Sequence, residues 1–135
     1  MSRSGYSDDC SGWELIRWRG AVASAIRGKR GQEFLREVLS VLDAMPVKQL
    51  AKETLEAEGQ FCTIGTVLHS RGIAIADGEM FWGSPDEIAQ LLGSTHALVA
   101  EIVYENDEYY WLKETPAERW VRMRTWVFNN IKEQT

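Results

Sequence analysis

Five basic residues, Arg17, Arg19, Arg27, Lys29 and Arg30, crowd into one short stretch of the chain. Gly28 and Gly31 bracket Lys29-Arg30, an arrangement that can present backbone amides and cationic side chains together to a phosphate or a carboxylate. The run does not follow a strand-like segment and lacks the Lys-Ser/Thr ending of a phosphate-binding P-loop, which argues against nucleotide hydrolysis. Trp13 shares a helical face with Arg17 and Arg27, and Trp and Arg are the residue types that dominate binding hot spots. Two plainer readings stand beside this one: a solvated turn at Lys29-Arg30, and a Trp13 that tucks under the N-terminal arm.

A second cluster has the opposite sign. Glu105, Asp107 and Glu108 lie beside Tyr104, Tyr109, Tyr110 and Trp111, an acidic and aromatic patch of a kind that suits a basic surface on another protein. The alternative is a loop whose aromatic rings cover the core while its acids stay in water.

Other chemistry is thinly represented. Asp8, Asp9, Cys10, His69 and His96 are scattered, with no Cys-x-x-Cys or His-x-x-x-His spacing, so no metal or other cofactor is expected. Cys62 reads as a small core residue. No catalytic signature accompanies the two histidines, and the chain reads as a binder more readily than as an enzyme. The segment Glu87 to Ile102 has helix-turn-helix spacing, with Ala89, Gly93 at the turn, then Val99 and Ile102 pointing back to the core. From Gly93 to Tyr110 it carries no Lys or Arg. Duplex binding needs cations near phosphates, so a structural corner is the better reading.

Positioning these groups falls to helices. Ser11…Glu14, Ser84…Glu87 and Thr115…Glu118 have capping-box spacing, and Pro85 and Pro116 stand at the first helical position. The first helix is predicted over Trp13 to Arg27, with Leu15, Trp18, Val22, Ala25 and Ile26 inward. A second runs from about Gln32 to Ala44, with Phe34, Leu35, Val38, Val41, Leu42 and Met45 on its core side, and stops at Pro46. A short third helix is expected with Val47, Leu50, Ala51 and Leu55 inward, closing near Gly59. Residues 61 to 68 fit either a strand or a short helix. Asp77-Gly78 between two apolar runs signals a small hairpin near residues 73 to 82. Two helices follow, Pro85 to Leu92 and Thr95 to about Tyr104. The last spans Pro116 to about Ile131, with Trp120, Met123, Val127 and Ile131 inward and Arg119 and Arg122 facing away.

The sum is a mainly α, single helical domain over residues 1–135, a bundle of about five or six helices with a polar N-terminal arm over residues 1–10. A length of 135 residues with 44% hydrophobic and 26% charged suits one compact domain. No apolar run approaches the ~20 residues of a membrane span, and two cysteines are too few for a disulfide framework. The polar start has no apolar stretch of the signal-peptide type. The net charge of −5 is segregated: residues 1–36 carry a balance of +3, residues 37–115 of −10 and residues 116–135 of +2. If the terminal helices pack together, their arginines merge into one positive face opposite a negative one, a layout that favours oriented encounter with a charged partner.

The stretches Ser4-Gly-Tyr-Ser-Asp-Asp-Cys10, Trp18 to Gln32, Phe34-Leu35, Leu42-Asp-Ala-Met-Pro46, Glu114-Thr-Pro116 and Arg122 to Trp126 resemble a family of small bacteriophage- and prophage-encoded proteins. The likeness is weakest between Gly72 and Ser84. It carries no known activity and no catalytic residues to transfer. It implies an accessory role in the cytoplasm of a bacterial host. The expected function is stoichiometric binding to a host protein or ribonucleoprotein, as in counter-defence, through Trp13, Arg17, Arg27, Lys29 and Arg30 and through Glu105, Asp107, Glu108, Tyr109 and Trp111. Nucleic-acid binding by the basic N-terminal region is the alternative, and no membrane partner is expected.

Overall fold

The computed structural model describes residues 13–52, 56–57, 60–73, 85–107 and 113–132. They form helices α1 (Trp13–Arg27), α2 (Lys29–Ala44), α3 (Thr63–Ser70), α4 (Pro85–Leu92), α5 (His96–Asp107) and α6 (Pro116–Asn130), with two-residue strands β1 (Glu56–Ala57) and β2 (Gln60–Phe61). The mainly helical bundle read from the sequence is the observed architecture. Its core gathers Leu35, Val38 and Leu42 of α2, Ile64, Val67 and Leu68 of α3, Leu98, Val99 and Ile102 of α5, and Met123 and Val127 of α6. Among the described residues no helix is long and apolar enough to cross a membrane.

Two helices organise the rest: α2 packs on α1, α3 and α6, while α5 packs on α1, α3, α4 and α6. Helix α1 passes into α2 through the single residue Gly28, whose extended backbone (φ −69°, ψ 157°) turns the chain. The second helix therefore begins at Lys29, three residues before the predicted start, and Lys29 and Arg30 stand in its first turn instead of in a loop. Gly31 makes the corner possible. A Cβ there would lie 1.8 Å from the Ala25 carbonyl oxygen, so only glycine lets the two backbones approach so closely.

Of the predicted third helix, which was to close near Gly59, residues 47–52 are not helical, and residues 53–55 and 58–59 lie outside the described residues. Leu50 N–H donates to the Pro116 carbonyl at 3.1 Å and Ala51 N–H to the Phe61 carbonyl at 2.8 Å. These tertiary partners take backbone donors that a helix would need internally. Of the positions expected inward, Leu50 and Ala51 are buried while Val47 is 60% exposed, and Leu55 lies outside the described residues. After this segment Glu56 pairs with Phe61 and Ala57 with Gln60 in a minimal antiparallel ladder.

Of the two readings left open for residues 61–68, the helix holds for most of the segment. Cys62 caps α3, its Sγ accepting from Gly65 N–H at 3.3 Å, and the residue is buried as expected. Gly93, at φ +69°, turns α4 into α5, and Ala89, Val99 and Ile102 are all buried as the corner pattern requires. The Thr115/Glu118 capping box is complete, Thr115 N–H donating to Glu118 Oε1 at 2.8 Å and Glu118 N–H to Thr115 Oγ1 at 3.1 Å. The hairpin expected around Asp77-Gly78, Ser84 and Ser11 of the other two boxes, and the N-terminal arm lie outside the described residues.

Candidate functional site

Charge on the described surface is sorted by which cations find a partner inside the bundle. Glu114 receives Arg122 in two-pronged fashion, Nε to Oε2 at 2.9 Å and Nη2 to Oε1 at 2.7 Å, with Arg119 Nε 3.3 Å away. The Arg122 hydrogen bond, ahead of its charge and that of Arg119, holds the Glu114 carboxyl below its usual range. Arg119 donates to the Leu50 carbonyl at 2.7 Å, and Arg122 to the Glu105 carbonyl at 2.6 Å, where a cation also meets the negative end of α5. Arg119 and Arg122 therefore do not face away as predicted. Arg122 donates to the Glu105 carbonyl and the Glu114 carboxylate, while Arg119 donates to the Leu50 carbonyl and lies beside Glu114 as an ion pair without a hydrogen bond from its Nε. Arg124 binds Asp43 of α2 at 2.5 and 3.1 Å; its hydrogen bond, before the charge itself, lowers the Asp43 pKa.

A positive face merged from both termini is thus not what forms. The three arginines of α6 are each within ion-pair distance of an acid, Arg119 and Arg122 sharing Glu114 and Arg124 binding Asp43, and α1 packs chiefly on α2 and α5. On α1 and α2, Arg17, Arg27, Lys29, Arg30 and Arg36 stay exposed, as does Arg19, which reaches Glu101. None of the five pairs with an acid among the described residues. Arg27, Lys29 and Arg30 flank the one-residue junction at Gly28, so chain geometry alone holds them at one corner. Trp13 opens α1.

The acidic patch requires a correction. Glu105 and Asp107 were expected in a surface loop after a helix ending near Tyr104. They are instead the last turn of α5, with relative exposures of 8% and 4%. The cause is the position of α5, enclosed by four other helices, together with Asn106 between them. The Asn106 carboxamide is 1% exposed. It accepts from Thr63 N–H at 3.1 Å and Thr63 Oγ1 at 2.8 Å, and donates to the Ala51 carbonyl at 3.0 Å and to Asp107 Oδ1 at 2.8 Å. Such a saturated amide pins the end of α5 to the start of α3. Glu108, Tyr109 and Trp111 lie outside the described residues.

Burial turns the acids of α5 toward a feature the sequence reading did not isolate. Helices α1, α5 and α6 bound an open groove of about 420 Å³. Val22, Ala23 and Ile26 form one wall and Trp126 the other. Glu101, 3% exposed, and Glu105 lie at its base, one helical turn apart. Arg19 and Arg27 stand at the mouth. Arg19 Nη1 reaches Glu101 Oε2 at 3.4 Å while its side chain remains 53% exposed, and its guanidinium lies 5.4 Å from the Trp18 ring centre. Lys132 Nζ donates to the Arg27 carbonyl at 2.8 Å and ties the end of α6 to the same rim. The available signals were the Arg19, Val22, Ala23, Ile26 spacing and the i, i+4 pair Glu101/Glu105.

His69 is exposed and stacks on Phe61 at 4.6 Å, and His96 is exposed on α5. Among the described residues no group of three or more metal-binding side chains converges. No family model, no curated protein and no solved structure matches this chain.

Proposed function

We propose that the chain is a phage accessory protein that binds a host protein or ribonucleoprotein stoichiometrically and modulates it, as a counter-defence factor does. The observation that supports this reading is the corner of α1 and α2. In a chain of net charge −5, Arg17, Arg27, Lys29, Arg30 and Arg36 stay exposed without an acidic partner among the described residues. Cations held near one another cost self-repulsion that an anionic partner relieves, and a segregated patch steers encounter. Arg adds planar, multidentate recognition of carboxylates and phosphates.

The same exposed cations favour a second reading, a nucleic-acid-binding accessory protein gripping phosphates. One experiment separates the two. Tagged protein is used to recover partners from nuclease-treated lysate of a bacterial host, in parallel with titration of random duplex and single-stranded DNA at low salt. Recovery of a defined host protein in equimolar amount, lost on replacing Arg27, Lys29 and Arg30 by Ala, supports the first reading. DNA binding that the same replacements abolish, with no host protein recovered, supports the second.

A further inference from the structure

The exposed cations of α1 stand at the two ends of a level surface. From Arg17 to Gly28 the chain carries no acid. Arg17 and Arg27 are roughly 15 Å apart along the helix axis, and Lys29 and Arg30 carry the second charge around the corner. Apart from Arg19, which turns to Glu101, every exposed residue between the two arginines is small: Gly20, Ala21 and Ser24. Ile16, 61% exposed, adds an apolar edge one turn before Gly20.

Gly20 is the position that the fold itself does not account for. A glycine inside a helix is disfavoured against alanine, because its backbone has more freedom to lose. At Gly31 a close backbone contact requires it, and at Gly93 a positive φ does. Gly20 has neither reason. It lies within α1, it is exposed, and nothing stands within 4 Å of a Cβ built there. A missing side chain at that point serves a chain that arrives from outside.

We infer that this face of α1 docks an acidic helix of a partner protein, laid across Gly20, Ala21 and Ser24 with carboxylates near both of its ends. One end meets Arg17, the other Arg27, Lys29 and Arg30. Small residues at a crossing let two helix axes come close, and arginine takes a carboxylate in a two-pronged grip. The charge layout selects against a nucleic acid. Beyond the corner the exposed line of α2 reads Lys29, Glu33, Arg36, so an acid interrupts the cations where a phosphate backbone would need them to continue.

This inference rests on the protein-binding reading and names the partner surface for it. The probe is an end-capped helical peptide rich in alanine and glutamine, with glutamates in its first and last turns, about 15 Å apart, and alanines on the face between them. It is titrated into the full chain by calorimetry and by NMR of the Gly20 and Ser24 amides. Its counterpart with glutamine for glutamate, and single-stranded and duplex DNA oligonucleotides, are run at the same ionic strength. The glutamate peptide is expected to bind saturably and to shift both amides, and the glutamine peptide is not. Arg17→Gln and Arg27→Gln each weaken binding by about five- to tenfold. Gly20→Leu weakens it at least tenfold with a Tm no lower than that of the wild type, a split that a merely structural glycine does not produce. Peptide binding unchanged in Gly20→Leu, no saturable binding at millimolar peptide, or DNA bound more tightly than the peptide through the same arginines overturns the inference. Host-partner recovery that is lost on replacing Arg27, Lys29 and Arg30 by Ala but unchanged in Gly20→Leu overturns it too, and leaves the binding function standing.

Discussion

Glu114 shows how much one carboxylate can hold. It lies largely buried between Arg122 and Arg119, so its removal leaves two guanidinium groups short of their anion in a poorly solvated place. Glu114→Gln is expected to lower stability by roughly 2–3 kcal/mol, toward the low end of what breaking a buried pair costs, measured by urea unfolding. The pH dependence follows in sign. The folded pKa lies below the unfolded one, so this stabilisation is complete above the ordinary glutamate range and is lost as pH falls through the folded value. Between pH 7 and pH 3 the wild type should lose more stability than Glu114→Gln. Parallel curves would remove Glu114 from the account.

At the scale of elements, the junctions carry more than the propensities. The α1–α2 corner depends on Gly31 packed against the Ala25 carbonyl. Ala is ordinarily the better helix former by about 1 kcal/mol, yet Gly31→Ala should destabilise by roughly 2–3 kcal/mol because backbone must move to admit the methyl group. Gly20, at an exposed position of α1 with nothing within 4 Å of a built Cβ, is the control, and Gly20→Ala should stabilise. The junction of α3, α5 and the segment before β1 depends on Asn106. Asn106→Ala leaves the Thr63 amide and hydroxyl and the Ala51 carbonyl without their partner. A loss of roughly 3 kcal/mol is expected from stranding those groups. A fall in Tm of only a degree or two would mean that water or a neighbour replaces the amide.

For the whole molecule, the decisive feature is the division of cations into neutralised and exposed. α6 contributes almost nothing to the positive surface, since Arg119, Arg122 and Arg124 all have acid partners. The functional weight therefore falls on α1 and the first half of α2. If host-partner capture runs through that corner, its association rate should fall several-fold between about 0.05 and 0.3 M salt, because screening shortens the reach of exposed charges. Arg27→Glu with Lys29→Glu should flatten that dependence, while Arg124→Ala should leave it unchanged. A salt slope identical in all three proteins would place the contact elsewhere.

The residues alone determined the helical class, the span of α1, the Thr115 cap and most of the inward apolar stripe. Each of these rests on a period or a hydrogen bond closed within a few positions of chain. Tertiary structure decided the rest. Residues 47–52 have helix-like spacing, but Pro116 and Phe61 take their backbone donors. Arg119 and Arg122 have outward-looking polarity, but Glu114 and the last turn of α5 draw them in. Glu105 and Asp107 look like solvated acids, but four neighbouring helices close over α5. A charged side chain has no intrinsic side of a helix. Its burial depends on a counter-charge or donor that arrives from a distant part of the sequence, and for the same reason the groove above Glu101 and Glu105 exists only once α1, α5 and α6 have met.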